Sequence, residues 1–201
     1  MIAQELGWLC GARYTHLRDI KTFPTLGFLD IDWKNYNFDK HLQAAMSLNP
    51  MLTVARDIED IRDLDKILTQ AYILKKYSQE VIIVPKDLKL KNRLNEIPND
   101  FLLGYSVPTQ YGGTQIPVKY FTRPVHLLGG RPDVQRKLAR KLIVKSLDCN
   151  RFTLDAKFGK YFDGMAFKKH PIGGYVNCLI DSLKNINLLW EDYQMEDAYG
   201  E

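Results

Sequence analysis

Cysteine is scarce in this 201-residue chain, and its three cysteines, Cys10, Cys149 and Cys178, stand far apart. Because an odd and scattered set builds neither a disulfide framework nor a CxxC metal knuckle, we expect reduced thiols inside a cell. The first nine residues include Glu5 and no basic stretch before an apolar run, so a signal peptide is not expected. No run reaches the roughly 18 apolar residues of a membrane span. These absences predict a soluble cytoplasmic protein, or one of the host cytoplasm if the chain is viral.

The sequence also lacks the usual metal and phosphate motifs. The four histidines are scattered, no HxH, HExxH or DxDxDG spacing occurs, and the glycine pairs form neither a GxGxxG nor a P-loop pattern. We therefore expect no bound cofactor. The alternative is an oxygen-rich cluster of Asp30, Asp32 and Asp57 that binds Mg²⁺ or Mn²⁺. Cys149 is a poor candidate nucleophile, because its acidic neighbour Asp148 raises the pKa of a thiol.

The composition is that of one globular domain. Apolar residues make up 45% of the chain and charged residues 26%, and no repeat, low-complexity tract or Ser/Gly-rich linker divides it. We predict an irregular N-terminal segment over residues 1–24, a catalytic domain over 25–195 and a tail over 196–201. Arg13 and Tyr14 make the first segment a candidate lid. The formal net charge of +4 is compatible with a polyanionic partner without requiring one.

Short apolar runs alternate with amphipathic segments along the chain. The apolar runs predict strands over residues 25–33, 51–55, 80–85, 100–107, 124–129 and 143–147. The amphipathic segments predict helices over residues 38–47, 61–74, 90–97, 132–142 and 175–193. Since this alternation is typical of parallel strands covered by helices, and a full barrel needs about 250 residues, we predict an α/β fold with a trimmed (β/α) TIM-type barrel in a single domain. An open doubly wound sheet would give the same pattern.

Polar residues stand where the predicted strands end, and both topologies bring these ends to one face. They are Asp30, Asp32, Asp57, Tyr105, Ser106, Gly129, Gly130, Asp148 and Asn150. Asp and Asn also cap helices, which is the simpler explanation for any one of them. Asp30 and Asp32, however, lie two residues apart on one predicted strand and so share a face, which capping does not explain. We therefore predict a cleft lined by carboxylates at this end of the sheet.

Two neighbouring segments resemble the tRNA-guanine transglycosylases. Residues 126–139 (HLLGGRPDVQRKLA) are similar to that family's strand, "MGVG-P-D" turn and helix, and residues 144–151 (VKSLDCNR) to its next strand, which ends in "FDCV-PTR". More loosely, residues 105–114 (YSVPTQYGGT) take the place of its "GGLAVGE" base-binding loop, and residues 28–32 (FLDID) that of its "DSGGFQ" strand. The family's CxCxxC…H zinc site has no counterpart in this sequence. That departure and the short chain point to the compact phage and bacterial DNA 7-deazaguanine transglycosylases.

The resemblance implies an exchange of guanine in DNA, with tRNA as the second choice, for a 7-deazaguanine base such as preQ0. It implies that Asp148 is the nucleophile that traps the sugar and that Asp30 or Asp32 is the general acid and base. It further implies that Asp57 recognises the edge of the base. The remaining predicted substrate contacts are Ser106, the backbone of Gly129 and Gly130, Asn150, and either Tyr105 or Tyr111 stacked on the ring.

Predicted contacts with nucleic acid lie on or near the helix that begins at Pro132. They are Arg131, Arg136, Lys137, Arg140, Lys141 and Arg151. A solvated helix face would explain the same charges. Two other functions remain open at this point: a deoxyribosyltransferase or hydrolase that acts on free nucleosides or nucleotides, and a non-enzymatic (β/α) binding protein whose acids serve as caps.

Overall fold

The computed structural model describes residues 2–20, 23, 25–110 and 112–194. Tyr111 and the predicted tail over 196–201 lie outside the described residues. The strands are β1 (Gly11–Arg13), β2 (Phe28–Asp30), β3 (Leu52–Val54), β4 (Glu80–Ile83), β5 (Leu102–Ser106), β6 (Val125–Leu128), β7 (Val144–Leu147), β8 (Lys160–Phe162) and β9 (Phe167–Lys169). The α-helices are α1 (Ile2–Glu5), α2 (Phe38–Leu48), α3 (Leu64–Leu74), α4 (Pro132–Leu138), α5 (Arg151–Ala156) and α6 (Tyr175–Trp190). Short 3-10 helices cover Arg18–Ile20, Ile61–Asp63, Leu88–Asn92, Leu94–Glu96 and Val118–Tyr120.

Within the described part of the chain, strands β1 to β7 form one parallel sheet in which each strand pairs with the next in sequence. Six of these strands coincide with predicted ones. The consecutive order means that the chain always advances in the same direction, whereas a doubly wound sheet reverses at a switch point. The prediction of parallel strands in an α/β fold is therefore confirmed, and the doubly wound alternative is wrong.

The sheet curls into a half-barrel. Phe28 on β2 and His126 on β6 have ring centroids 5.3 Å apart, although three strands lie between β2 and β6 in the sheet. In a flat sheet those strands would be about 19 Å apart, because neighbouring strands are spaced by about 4.8 Å. The two rings can meet only because the sheet bends around a common interior.

Gly104, in the middle of the sheet, shows which side chains face this interior. A Cβ at Gly104 would lie 2.7 Å from methyl carbons of Ile82 and Val84 and 2.8 Å from one of Leu128. Such contacts are too short for a side chain, so glycine lets β4, β5 and β6 close tightly on the inner face. Since side chains alternate along a strand, neighbouring residue Tyr105 faces outwards.

The outer helices lie where the sequence pattern predicted them. Asn37 caps α2 by accepting a hydrogen bond from the backbone of Lys40, and Asn49 ends the helix with a left-handed φ of 43°. Pro132 occupies the first turn of α4, where its missing N–H costs nothing. The predicted helix over 90–97 is instead two short 3-10 turns. No helix in the described residues combines the length and the apolar character needed to cross a membrane.

The N-terminal segment is not irregular throughout, and that prediction is wrong for Gly11–Arg13. These residues form β1, which extends the sheet beside β2. The three residues of this strand are exposed, half-buried and exposed in turn. Since none of them is fully buried, their sequence lacks the apolar alternation that would predict a strand. Strands β1 and β7 are the two edges of the half-barrel. The longest helix, α6, runs along the opening between them, with α5 and the β8–β9 hairpin packed beside it around Phe152, Phe162 and Leu183.

Candidate functional site

Two cavities lie at the interior and rim of the half-barrel, and Asp30 lines both of them. The first, cavity A, has a volume of about 780 Å³ and lies between the edge strands β1 and β7 and the helix α6. The second, cavity B, has a volume of about 600 Å³ and lies at the carboxyl ends of β2 to β6. Ligands of (β/α) folds bind at the carboxyl ends of the strands, which is where Asp30 joins the two cavities.

Asp30 is the last residue of β2 and is held from both sides. Its Oδ1 accepts a hydrogen bond of 2.8 Å from the backbone of Ile31, and its Oδ2 lies 3.5 Å from Nε of Arg13, the paired residue on β1. Burial and, next in size, the negative charge of Asp148 raise the pKa of Asp30 to about 6. A carboxyl group with such a pKa gives and takes protons near neutral pH.

Asp148 directly follows β7 and lines cavity A together with Asp30. Its Oδ1 accepts a hydrogen bond of 3.0 Å from the backbone N–H of Gly129, and its side chain remains 29% exposed. The acid is therefore anchored in orientation while one face of it stays open to the cavity. The sequence prediction that the two aspartates share a cleft agrees with this geometry.

His126 is a site residue that the sequence analysis missed. It lies on β6 with its side chain 1% exposed, and it lines cavity A. Its Nε2 is 3.4 Å from Oδ1 of Asp148 and its Nδ1 is 2.8 Å from the hydroxyl of Ser146. Both ring nitrogens therefore have a polar partner, and Nε2 is placed to donate to Asp148 because an ionised carboxylate only accepts. A signal was present, because a histidine inside the apolar run Val125–Leu128 breaks the hydrophobic pattern.

Cavity B contains most of the predicted base-binding residues. Ser106, Gly129, Gly130 and Asp57 all line it. Asp57 is paired with Lys86 at 2.6 Å, and burial, opposed by this lysine, raises the pKa of Asp57. The carboxylate thus has a cationic partner already, and a ligand that approaches it meets an ion pair.

Trp33 forms an aromatic wall of cavity B that the sequence analysis did not single out. Its side chain is 51% exposed, and Nζ of Lys34 lies 5.2 Å from the centre of its ring. An exposed indole face beside polar groups suits stacking on a flat heterocycle. The loop after β2 therefore places an exposed aromatic ring at cavity B.

Tyr105 does not line either cavity, so its predicted stacking role is wrong. It faces away from the interior, is 5% exposed, and packs edge-on against Phe121 at 5.1 Å. The reason is the alternation of side chains on β5, where Gly104 takes the inward position.

Asp32 also departs from its prediction. Strand β2 ends at Asp30, so the two acids are not on one strand and do not share a face. Asp32 lies in the following loop, where its Oδ1 accepts from the backbone N–H groups of Lys34 at 3.3 Å and Asn35 at 3.4 Å. It lines neither cavity and acts as a turn residue of the kind that aspartate favours.

The cations of α4 that were predicted to contact nucleic acid lie away from the two cavities. Because α4 starts beside the carboxyl end of β6 and β7 begins at Val144, the helix runs back towards the amino ends of the strands. Lys137, Arg140 and Lys141 are exposed but line neither cavity. Arg136 is occupied at that far end, where it donates to the carbonyl of Leu189 and to Asp192.

Arg131, Arg151 and Asn150 remain at the carboxyl end of the sheet. Arg131 donates to Asp133 and, at 3.4 Å, to the carbonyl of Met165 in the β8–β9 turn. Arg151 pairs with Asp155 and lies over the ring of Phe167. Asn150 is exposed and lines cavity A.

The described residues contain no group of three His, Cys, Asp or Glu side chains placed to hold a metal ion. Asp30, Asp32 and Asp57, the predicted alternative for such a cluster, are instead bound to Arg13, to backbone amides and to Lys86 respectively. Burial raises the pKa of Cys149 to about 11, so this thiol is protonated at neutral pH.

A comparison with protein-family models gives a match over residues 3–191, to a family of unknown function, DUF6610. No curated protein matches the chain, and no solved structure matches it. Since the family model covers most of the sequence, the chain belongs to the DUF6610 family.

Proposed function

We propose that the protein is a base-exchange transglycosylase, which replaces guanine in DNA with a 7-deazaguanine base such as preQ0. The observation that carries the proposal is the pair of Asp30 and Asp148 in one cavity, with the pKa of Asp30 raised to about 6 by burial and by the charge of Asp148. A double displacement at a sugar carbon requires one carboxyl group that gives and takes a proton and a second one that attacks the carbon. In this proposal the half-barrel is a trimmed TIM-type barrel.

The proposed reaction has two steps. In the first, a carboxylate oxygen of Asp148 attacks C1′ of the nucleotide, the N-glycosidic bond breaks, and Asp30 donates its proton to the departing guanine. In the second, the incoming base attacks C1′ while Asp30 takes its proton, and the ester bond to Asp148 breaks. The hydrogen bond from Gly129 orients Asp148 for both steps.

Cavity B is the proposed base subsite. It opens from Asp30 and is bounded by Trp33, which offers a ring face, and by Ser106 and the backbone around Gly130, which offer hydrogen-bonding groups. The ion pair of Asp57 and Lys86 offers both a hydrogen-bond acceptor and a donor to the edge of a purine-like ring. A base extruded from the stack could therefore be read on its edge and held on its face.

The test is to incubate the protein with DNA and a 7-deazaguanine base, and then to analyse the nucleosides of the DNA by mass spectrometry. Incorporation by the native protein and its loss in Asp148→Asn are the expected results. A parallel incubation with tRNA distinguishes the two polymers. A matched control is Asp39→Asn in the first turn of α2, which should exchange as the native protein does. No incorporation into either polymer, with a known transglycosylase active in the same buffer, would contradict the proposal.

A glycosyl-bond enzyme for free nucleosides is the second candidate. It is favoured by one observation, namely that the exposed cations of α4 line neither cavity. Such an enzyme would release guanine from deoxyguanosine, and the rate would again depend on Asp148. Release from the nucleoside without exchange into a polymer would decide for this candidate.

A further inference from the structure

The β8–β9 hairpin and its flanks carry a local excess of positive charge. Residues 157–170, here called the basic hairpin, contain four lysines against one aspartate, in a chain whose formal net charge is +4. Lys168 is neutralised by Asp163 at 2.8 Å. The other three lysines, Lys157, Lys160 and Lys169, are exposed.

Two of these lysines stand directly opposite each other. Lys160 pairs with Lys169 in the antiparallel register, and no acid of the described residues pairs with either of them. Like charges directly across a strand pair are destabilising. An anion bound between the two ammonium groups would remove this repulsion.

The basic hairpin lies beside the candidate active site. Its turn accepts a hydrogen bond from Arg131, which directly follows the Gly129–Gly130 segment of cavity B. Its strand β9 contacts Arg151, which follows Asn150 of cavity A. A polymer seated on the hairpin would therefore pass close to the carboxyl ends of β6 and β7.

Aromatic rings interleave with the lysines. Phe158 lies between Lys157 and Lys160 in sequence and is 78% exposed. An exposed phenyl ring next to cations is a stacking platform for an unpaired base, and such platforms are typical of proteins that bind single strands. A duplex would leave this ring without a base to stack on.

We propose that the basic hairpin binds the phosphate backbone of single-stranded DNA through Lys160 and Lys169, with Phe158 stacked on a base beside the contacted phosphates. This inference rests on the proposed function, because it assigns the polymer contact of the same site. It replaces the predicted track along α4, which leads away from both cavities.

The experiment measures binding of a fluorescent 20-nucleotide single strand by anisotropy, without any 7-deazaguanine. The variant Lys160→Glu/Lys169→Glu should bind about tenfold more weakly or worse at 0.1 M salt, and its salt slope should fall by about 1.4, as expected for two lost phosphate contacts on a single strand. The milder Lys160→Gln/Lys169→Gln should lose the same slope without adding repulsion, and should keep the fold because it removes like charges. The matched control, Lys66→Glu/Lys76→Glu, changes the same charge at exposed positions on and after α3 and should bind nearly as the native protein does.

Equal weakening by the hairpin and control pairs would overturn the inference, since only net charge would then matter. Absence of binding by the native protein at 50 mM salt, or tighter binding of a duplex or of tRNA than of the single strand, would overturn it as well. The outcome is separable from that of the proposed function. If the hairpin variants still exchange the base at low DNA concentration, the role of the hairpin is refuted but the proposed function is not. If binding depends on the hairpin and no exchange occurs, the transglycosylase activity is refuted but the role of the hairpin is not.

Discussion

Gln135 of α4 donates a hydrogen bond of 2.8 Å to the backbone carbonyl of Asp148, and the same amide nitrogen donates at 2.7 Å to the carbonyl of Gly129. The side chain is fully buried. One amide thus ties together the ends of β6 and β7, which carry the glycine that orients Asp148 and Asp148 itself. The position of the candidate nucleophile depends on a helix that contributes nothing else to the cavities.

We expect Gln135→Leu to destabilise the protein by about 2–3 kcal/mol, because two partly buried carbonyls lose their donor while the side-chain volume is kept. The free energy of unfolding in urea measures this. The control Gln79→Leu, at an exposed position, should change it by less than about 0.5 kcal/mol. The exchange rate of Gln135→Leu should also fall, since the Gly129 segment is released. An unchanged free energy of unfolding would show that the two hydrogen bonds contribute nothing.

The parallel sheet was predictable from sequence because each buried strand is a short apolar run with a clear end. The same logic brought Asp30 and Asp148 to one cleft, since the carboxyl ends of parallel strands meet at one edge. Strand β1 and the β8–β9 hairpin escaped prediction, because Gly11–Arg13 and the lysine-rich hairpin show no apolar alternation, even though Phe162 of β8 is fully buried.

The wrong site predictions have geometric causes. Tyr105 was misplaced because Gly104 takes the inward-facing position on β5, so that Tyr105 faces outwards. The close contacts that require glycine at position 104 form only when the sheet curls, and the sequence does not show them. The cations of α4, such as Arg140, were misplaced because the direction of a connecting helix carries them to the other end of the strands. Trp33 lies in a loop, where sequence gives no periodicity from which to place a ring.

Asp30 should lower the stability of the folded protein at neutral pH. Its pKa is about 6 in the folded state and near 3.9 in an unfolded chain, so the folded state binds the proton more tightly. The contribution of Asp30 to stability is therefore greatest at low pH and is lost as the pH rises through 6. We expect Asp30→Asn to raise the melting temperature at pH 7.5 by more than at pH 4.5. An equal effect at both values would contradict the raised pKa.

The same pKa predicts how the reaction depends on pH. As the general acid, Asp30 must be protonated when guanine departs, so the rate of guanine release should decline above pH 6, approaching tenfold per pH unit. Asp30→Asn should be slow and should lack this decline. Single-turnover measurements of guanine release between pH 5 and 9 provide the test. A native profile that is flat over this range would exclude Asp30 as the acid.

His126 should position Asp148, because its ring contacts both that carboxylate and Ser146. We expect His126→Gln to lower kcat by about 100-fold, since a small displacement of a reacting group has effects of that size, with little change in KM for the incoming base, whose subsite is cavity B. Ser146→Ala should give a weaker form of the same result, because the ring keeps its place on Phe28 but loses the partner that fixes its tautomer. A rise in KM with kcat unchanged would assign His126 to base binding instead.

Trp33 should determine how tightly cavity B holds the base. Stacking of a base on an aromatic ring contributes about 1–3 kcal/mol, so Trp33→Ala should raise the Kd for a 7-deazaguanine base by about 5- to 150-fold, whereas Trp33→Phe should retain most of the affinity. Titration calorimetry with the free base measures both variants. Tyr72→Ala is the matched control, because Tyr72 is an exposed aromatic residue on α3 whose ring packs on Phe101 away from cavity B. Equal Kd values for Trp33→Ala and the native protein would contradict this role and would favour cavity A, which both Asp30 and Asp148 line, as the base subsite.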